Sequence, residues 1–185
     1  MKYVYTVDPN HTTVGFSARH LMVTTIRGKF HEWRGQVEAE DDDPLTAVAT
    51  LTIKAASIDS GSEMRDNDLR TNILDVEDHP ELTFRSTTVE RVDERRYRVT
   101  GELTVAGSTN PVTLDAEIEE AFLDMMGMRR VGFSARGTLR RSDWQLTWNP
   151  VLEGGRLVIS EEARIEIDGA LVREADKPAE AAATA

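Results

Sequence analysis

The sequence predicts an all-β protein of eight or nine strands, arranged as an up-and-down barrel or as a sandwich. Most of the chain alternates apolar and polar residues with period two, as in residues 99–105 and 131–139, which is the pattern of strands with one buried face. Short polar connections, such as residues 41–44 and 93–95, are typical of turns between such strands. A single segment, residues 57–84, breaks the alternation and predicts a helical crossover.

The crossover carries its own helix signals. Ser60 lies three residues before Glu63, which is the spacing of a capping box. Apolar residues then recur at helical spacing at Leu69, Ile73 and Leu74. The residue before Pro80 is pushed out of the helical conformation, so we expect a short helix that ends by that point. Organised connections on a β scaffold commonly shape or close a site.

The inward faces of the predicted strands mix large side chains with small ones, including Gly101, Ala116, Ala135 and Gly137. A barrel of about eight strands is either filled by its own side chains or holds one small ligand. Small inward residues favour the second case. A sandwich in which glycines mark bends explains the same pattern, so alternation alone leaves both architectures open.

Composition indicates a soluble protein and argues against several functions. The net charge of −11 argues against nucleic-acid binding, which needs clustered Lys and Arg, and against electrostatic attachment to anionic lipid. There is no cysteine, which excludes disulfides and thiol chemistry. No uncharged run approaches the roughly 18 residues of a membrane helix, and no apolar leader follows Met1. We therefore expect a cytoplasmic protein without stable membrane insertion.

The domain prediction is simple. A chain of 185 residues suits one domain with a sizeable core. We expect that domain to span residues 1–172. Residues 173–185 are rich in Ala and Glu without periodicity, which predicts a disordered C-terminal tail.

His20 is the histidine best placed for chemistry, because alternation puts it on the apolar face with Phe16. A lone inward histidine is more often a core residue than a ligand or base. An enzyme acting on an apolar substrate could pair it with an inward acid, for which Glu161 is the candidate. The sequence has no His-x-His pair, phosphate-binding glycine loop or nucleophile elbow. It therefore predicts no metal site, no cofactor and no catalytic residue.

Two further segments favour binding. Residues 122–128 place three methionines between two strands, and flexible thioethers adapt to irregular apolar ligands. A hydrophobic plug beneath a long loop is the alternative. Trp144 and Trp148 have the spacing of one helical face, which predicts either core packing or a cavity wall.

Several motifs, in a fixed order, resemble the YceI-like family of lipid-binding proteins. They are residues 8–11, 14–21, 28–30, 57–61, 65–66, 69–70, 80–84, 101–105, 111–114 and 141–144. Together they cover nearly the whole chain to about Ala170. The chain departs from the family pattern at Asp68, where histidine is common, and at Gln145, where a glycine is expected.

The resemblance implies an extended lipocalin-like antiparallel β-barrel with a short helical crossover. It implies a long apolar pore that holds a polyprenyl phosphate, an isoprenoid quinone or a similar amphiphile, and it implies a homodimer. We therefore expect non-enzymatic binding, storage or transport of a long-chain isoprenoid-type lipid. A small barrel enzyme that uses His20, and a solid-core protein-interaction module, are the alternatives.

Two criteria predict the residues of the pore: a place among the inward-facing residues of a strand, where every second side chain points inward, or a place on the crossover. We expect one continuous apolar cavity lined by Phe16, Leu21, Phe30, Leu51, Ile53, Leu69, Ile73, Leu74, Phe84, Leu103, Phe133 and Trp144. We expect the crossover residues 63–74 and the methionine-rich loop of residues 122–128, which includes Met125 and Met126, to flank its mouth and to move when lipid enters.

Three residues are candidates for steadying a polar headgroup at one end of the cavity: His20, Arg65 and Arg19. An arginine can bind a phosphate through two parallel hydrogen bonds. Arg65 has a structural alternative, since it can instead pair with the neighbouring Asp66.

Overall fold

The structure, a computed structural model, describes residues 1–155 and 157–174. Within these residues the chain forms twelve strands that join in one antiparallel sheet. The strands are β1 (Lys2–Val7), β2 (Thr13–His20), β3 (Thr24–Phe30), β4 (Trp33–Glu40), β5 (Val48–Lys54), β6 (Ile58–Asp59), β7 (Glu81–Arg91), β8 (Arg96–Val105), β9 (Ser108–Ile118), β10 (Phe122–Leu123), β11 (Met128–Arg140) and β12 (Ile159–Glu174). The helical elements are α1 (Glu63–Asp68), a π-helical turn (Leu69–Ile73) and 3-10 turns at Pro44–Thr46, Ala55–Ser57 and Arg141–Trp144.

Eight strands close the sheet into an antiparallel barrel. Their order is β11-β9-β8-β7-β5-β4-β1-β12, and β12 pairs back onto β11 from Met128↔Glu174 to Arg140↔Glu162. Closure leaves no strand edge open within this eight-stranded ring, where an unpaired edge would invite aggregation. The expectation of an all-β antiparallel barrel with one short helix is confirmed, and the sandwich alternative is wrong.

Strand β12 is long enough to take two partners along one edge. Its C-terminal part pairs with β1 at Val7↔Leu171, and its N-terminal part pairs with β2 at Ile167↔Val14. Strands β2, β3 and β6 therefore extend the barrel wall at one end. Strand β12 reaches Glu174, and Arg173 is buried against the Tyr3 ring at 4.0 Å. The first two residues of the predicted tail thus belong to the barrel, and the rest of that prediction lies outside the described residues.

The inward glycines make room for neighbouring side chains. A Cβ on Gly101 would lie 2.6 Å from the Phe84 ring and 2.5 Å from the Arg85 carbonyl oxygen. A Cβ on Gly137 would lie 2.5 Å from a methyl carbon of Leu114. Larger side chains on the neighbouring strands therefore occupy the space beside these glycines. The small residues do not by themselves create a cavity, as their size had suggested.

The crossover begins differently from the capping-box prediction. The N-cap of α1 is Ser62, which makes no side-chain cap hydrogen bond. Ser60 instead donates its hydroxyl to buried Asp66 at 2.5 Å. The helix then widens into the π-helical turn, where the Leu74 amide bonds to the Leu69 carbonyl at 2.8 Å. This wider turn ends the helical segment before residue 78 and directs Leu74 into the core.

The predicted helical face of Trp144 and Trp148 does not form. Gln145 has φ 60° and ψ 22°, a left-handed conformation that ends the 3-10 turn directly after Trp144. Left-handed backbone costs a non-glycine residue about 1–2 kcal/mol, which gives a physical reason for a glycine at this position in a motif of this kind.

Replacing Gln145 by glycine should therefore stabilise the protein by about 0.5–1 kcal/mol, because glycine adopts positive φ without a Cβ clash. Urea denaturation of the wild type and of Gln145→Gly measures the difference. The Gln145→Ala variant is the control, since alanine keeps the strain and should show no gain. A glycine variant no more stable than the alanine variant would contradict this explanation.

An ionic network ties the β1–β2 connection to the start of β11. Arg130 contacts buried Asp8 at 2.6 Å and Asp124 at 2.6 Å, and His11 lies 2.8 Å from Asp8. The bond from Arg130, followed by those from His11 and the Asn10 amide, lowers the pKa of Asp8 from 3.8 to about 2.

This pKa predicts acid sensitivity. A carboxyl group with a lowered folded-state pKa stabilises the fold above its unfolded pKa, and the contribution is lost as pH falls. The stability difference between the wild type and Asp8→Asn should therefore be largest above about pH 4 and should shrink between pH 3.8 and about 2. Urea titrations at several pH values measure it. An Asp115→Asn variant, at an exposed site, should show no comparable change; a constant difference for Asp8→Asn would contradict the assignment.

Candidate functional site: an apolar pore

The barrel interior contains two adjoining apolar cavities. The first, here called the crossover cavity, has a volume of about 180 Å³ and lies beneath the crossover. The second, here called the distal cavity, has a volume of about 140 Å³. Shared wall residues join them: Val14, Leu51, Phe84, Leu114 and Ile167. The two cavities therefore follow one another along the barrel, which suits a chain-like apolar molecule.

Most of the predicted pore residues meet in these walls. The crossover cavity is lined by Phe16, Phe30, Leu51, Ile53, Leu69, Ile73, Leu74, Phe84 and Leu103. Phe133 lines the distal cavity. Inward parity places the strand residues there, because side chains alternate between the two faces of a strand. The crossover residues reach the cavity because the π-helical turn packs over one end of the barrel.

Two of the predicted lining residues lie elsewhere. Leu21 has φ 51° in the turn between β2 and β3, and it faces an open outer groove. Trp144 is buried beside the cavities in the core, where its indole Nε1 donates to the Leu103 carbonyl oxygen at 2.8 Å. Trp144 thus packs in the core outside the cavities and lines neither of them.

A third pocket of about 270 Å³, here called the mouth pocket, opens between α1 and the end of β2. Its walls include His20, Arg65 and Arg19, the three headgroup candidates. It shares Phe16 and Leu69 with the crossover cavity. The mouth pocket therefore adjoins the crossover cavity and brings the three headgroup candidates to that end of the barrel.

The two arginines of the mouth pocket are held by local hydrogen bonds. Arg65 donates to the hydroxyl and to the carbonyl oxygen of Ser60, both at 2.7 Å, and Ser60 in turn bonds to Asp66. Arg19 donates to the carbonyl oxygens of Met22 and Val23 at 2.9 and 3.1 Å. Arg65 and Asp66 thus meet through Ser60 instead of pairing directly. A headgroup role for these residues stays a prediction.

The methionine hairpin lies at the opposite end of the barrel from the crossover. Strand β11 starts at Met128, beside this hairpin, and its later residue Leu139 lines the crossover cavity. Met125 and Met126 are fully exposed at the tip of the turn. The hairpin and the crossover therefore cannot flank one mouth, and that expectation is wrong. Ligand contact by the two methionines stays a prediction.

Sequence reasoning missed Arg141, which lines the crossover cavity and is only 5% exposed. It is the one charged residue among the described residues of that wall. Burial lowers the pKa of its guanidinium, an effect that the negative charge of Glu161 opposes. The sequence did contain the information, because the inward-facing residues of this strand are the odd-numbered ones from 131 to 139 and residue 141 is the next in that series.

The predicted acid–base pair is not brought together. Glu161 is exposed on the outer groove, and its carboxylate accepts a hydrogen bond from the Ser142 amide at 3.1 Å. His20 faces the mouth pocket. The arrangement therefore gives no geometric support to a catalytic pair of His20 and Glu161.

A closed antiparallel barrel with an apolar interior defines a class of proteins that can hold a small ligand in the lumen. The chain belongs to the YceI-like family, whose domain model matches residues 5–171. A UPF0312 protein of Pectobacterium carotovorum is 32% identical over 164 residues, which cover 87% of this chain and 85% of the relative.

Two solved structures are similar in fold. A YceI protein of Campylobacter jejuni has a TM-score of 0.73 at 25% identity, with 85% of this chain and 90% of that chain covered. A polyisoprenoid-binding domain from Saccharophagus degradans has a TM-score of 0.65 at 15% identity, with 93% and 98% covered. Within the described residues, no helix is long and apolar enough to cross a bilayer.

Proposed function

We propose that this protein is a non-enzymatic binder, and store or carrier, of a long-chain isoprenoid-type lipid held in the barrel. The observation that carries the proposal is the run of two adjoining cavities with almost wholly apolar walls. Pockets of small-molecule sites are mostly apolar with a few placed polar groups, and these cavities fit that description. Their succession along the barrel favours an extended chain over a compact ligand.

The energetics of burial support an apolar chain as the ligand. Each methylene group transferred from water contributes about 0.8 kcal/mol, so several isoprene units supply a large gross free energy. Ordering the chain and desolvating its headgroup oppose part of that gain. The aliphatic and aromatic walls, with Leu51 and Phe84 at the junction of the cavities, match a methyl-branched chain.

The comparisons support the same class of ligand. YceI-like family membership and the shared fold of the Saccharophagus degradans domain, described as polyisoprenoid-binding, both favour lipid binding. The net charge of −11 favours a protein that stays in solution while it holds an insoluble molecule. The homodimer is part of the proposal and is tested by light scattering of the purified protein.

The proposed function is tested in two steps. Organic extraction of the purified protein, followed by mass spectrometry, should recover a stoichiometric isoprenoid-type lipid. The delipidated, refolded protein should then bind geranylgeraniol, a 20-carbon prenol, and melt at a higher temperature, because a ligand that binds only the folded state stabilises it. Absence of both lipid and binding would overturn the proposal and would favour a role in which the loops bind another protein.

A further inference from the structure

We propose that the protein docks transiently on a lipid bilayer of low net charge through exposed apolar side chains beside the mouth pocket. The inference names an interaction surface, and it rests on the proposed function because a lipid carrier must collect its ligand from a membrane. The surface, here called the apolar rim, consists of exposed large side chains on three neighbouring segments: Met22, Val23, Met64, Val151, Leu152 and Leu157.

Two adjoining depressions bring the apolar rim to the crossover end of the barrel. Met64 lies on α1 and lines the mouth pocket, whereas Met22 and Leu157 line the outer groove. The mouth pocket and the outer groove share Arg19 and Ile159 as wall residues. The rim residues therefore lie around one continuous depression, at the end of the barrel where the crossover packs.

A short hairpin carries half of the rim. Residues 150–152 and 157–158 lie side by side, joined by an antiparallel bridge, and directly precede β12. The Leu21 amide donates to the Val158 carbonyl oxygen at 2.9 Å, which ties the turn between β2 and β3 to this hairpin. A Cβ on either of the two glycines at the hairpin tip would meet no described atom within 4 Å beyond its chain neighbours. The tip thus stands clear of the barrel and is accessible to another surface.

The charge of this surface differs from that of the whole chain. The protein has a net charge of −11, whereas residues 21–23 are uncharged and residues 150–158 contain one acidic and one basic residue. On α1, Glu63 beside Met64 is paired with Arg70 at 3.3 Å. Such a surface suits a bilayer whose headgroups carry no net charge, because binding then depends on the apolar area that enters the interface.

A bilayer suits this surface better than a second copy of the chain does. The rim borders the mouth pocket, which adjoins the crossover cavity through Phe16 and Leu69. A second subunit bound there would cover the opening that leads toward the apolar interior, whereas a bilayer would present lipid to it. Docking would also keep the apolar chain out of water while it passes between membrane and barrel, which removes the main cost of transfer.

Vesicle co-sedimentation of the full-length wild type tests the inference. The protein should bind phosphatidylcholine vesicles, and raising the salt to 1 M should change that binding by about twofold or less, because no net charge attracts it. At low salt, vesicles rich in phosphatidylglycerol should bind about threefold less protein, because the net charge of −11 is repelled by an anionic surface. High salt should narrow that difference.

Two matched double variants locate the contact. Val23→Ser with Leu152→Ser removes rim side chains that line neither the cavities nor the mouth pocket, and it should weaken binding to phosphatidylcholine vesicles about tenfold or more. Val92→Ser with Leu45→Ser removes the same side chains from turns at the opposite end and should bind as the wild type does. The exposed fractions are comparable, at 73% and 47% in the rim and 52% and 45% in the control pair.

The affinity for geranylgeraniol in solution separates docking from the proposed function, and both double variants should retain it. Wild-type protein that binds this prenol but no vesicles leaves the function standing and overturns the docking surface. Vesicle binding without prenol binding supports the surface and overturns the function.

Three other results would also overturn the docking surface. They are an equal loss of vesicle binding in the two double variants, a preference of the wild type for anionic vesicles at low salt, and a rim variant that changes only self-association in light scattering. The last result would assign the rim to a second copy of the chain. If the rim variant does not fold, the comparison of the two vesicle types with the wild type decides.

Discussion

Replacing Leu114 by tryptophan should weaken the binding of geranylgeraniol by about tenfold or more. Leu114 lies in the wall shared by the two cavities, so a larger ring there would occupy the junction through which an extended chain must pass. Overpacking a core position costs about 1–3 kcal/mol of folding free energy, which this barrel should tolerate. Calorimetric titration of the delipidated protein measures the affinity.

The neighbouring residue provides the control. Thr113 precedes Leu114 on β9 and is exposed on the outer face, so Thr113→Trp adds the same ring without entering the pore. It should bind the prenol as the wild type does. If Leu114→Trp binds equally well, the ligand does not span the junction, and a site confined to one cavity or to the mouth pocket would replace the continuous pore.

Replacing Trp144 by alanine should lower the free energy of unfolding by about 3–5 kcal/mol, the usual range for deleting a buried tryptophan side chain. Its side chain is only 3% exposed and fixes the 3-10 turn after β11 to the end of β8 through the bond to the Leu103 carbonyl oxygen. Because Arg141 is the first residue of the same turn, we expect the variant also to increase the mobility of the Arg141 side chain.

Urea denaturation measures this loss of stability. Two further variants separate the contribution of the hydrogen bond from that of packing, and Trp144 from Trp148. Trp144→Phe keeps most of the apolar contact and removes the indole donor, so it should cost about 1 kcal/mol more than the change in packing alone. Trp148→Ala removes a half-buried ring from the wall of the mouth pocket and should cost less than Trp144→Ala. Equal losses at the two tryptophans would mean that Trp144 does not hold the turn.

The inward faces of the strands could be predicted from the sequence alone. Val112, Leu114 and Ala116 on β9 are buried as alternation predicts, because side chains of a strand point to opposite faces whatever strand lies beside it. The same rule placed Phe16, Leu51 and Phe84 in the pore. Extended two residues beyond Leu139, the same rule also points to Arg141, which the sequence analysis did not include.

The crossover shows where local signals were insufficient. Ser60 has the sequence spacing of a cap, but it bonds to Asp66 and Arg65, and the helix begins after Ser62. Spacing identifies which hydroxyls can cap a helix. The choice among them depends on which partner lies within bonding distance once the crossover has packed on the barrel.

The sequence by itself determined an all-β protein with apolar inward faces and one helical interruption, since these depend on periodicities within each segment. Only the tertiary structure decided that β11 pairs with β12 to close the barrel, that the crossover and the methionine hairpin lie at opposite ends, and that Arg141 is buried without a carboxylate partner among the described residues. The physical reason is that alternation specifies a face but not a partner strand. Pairing, and with it the position of a charge inside the barrel, follows from the packing of the whole chain.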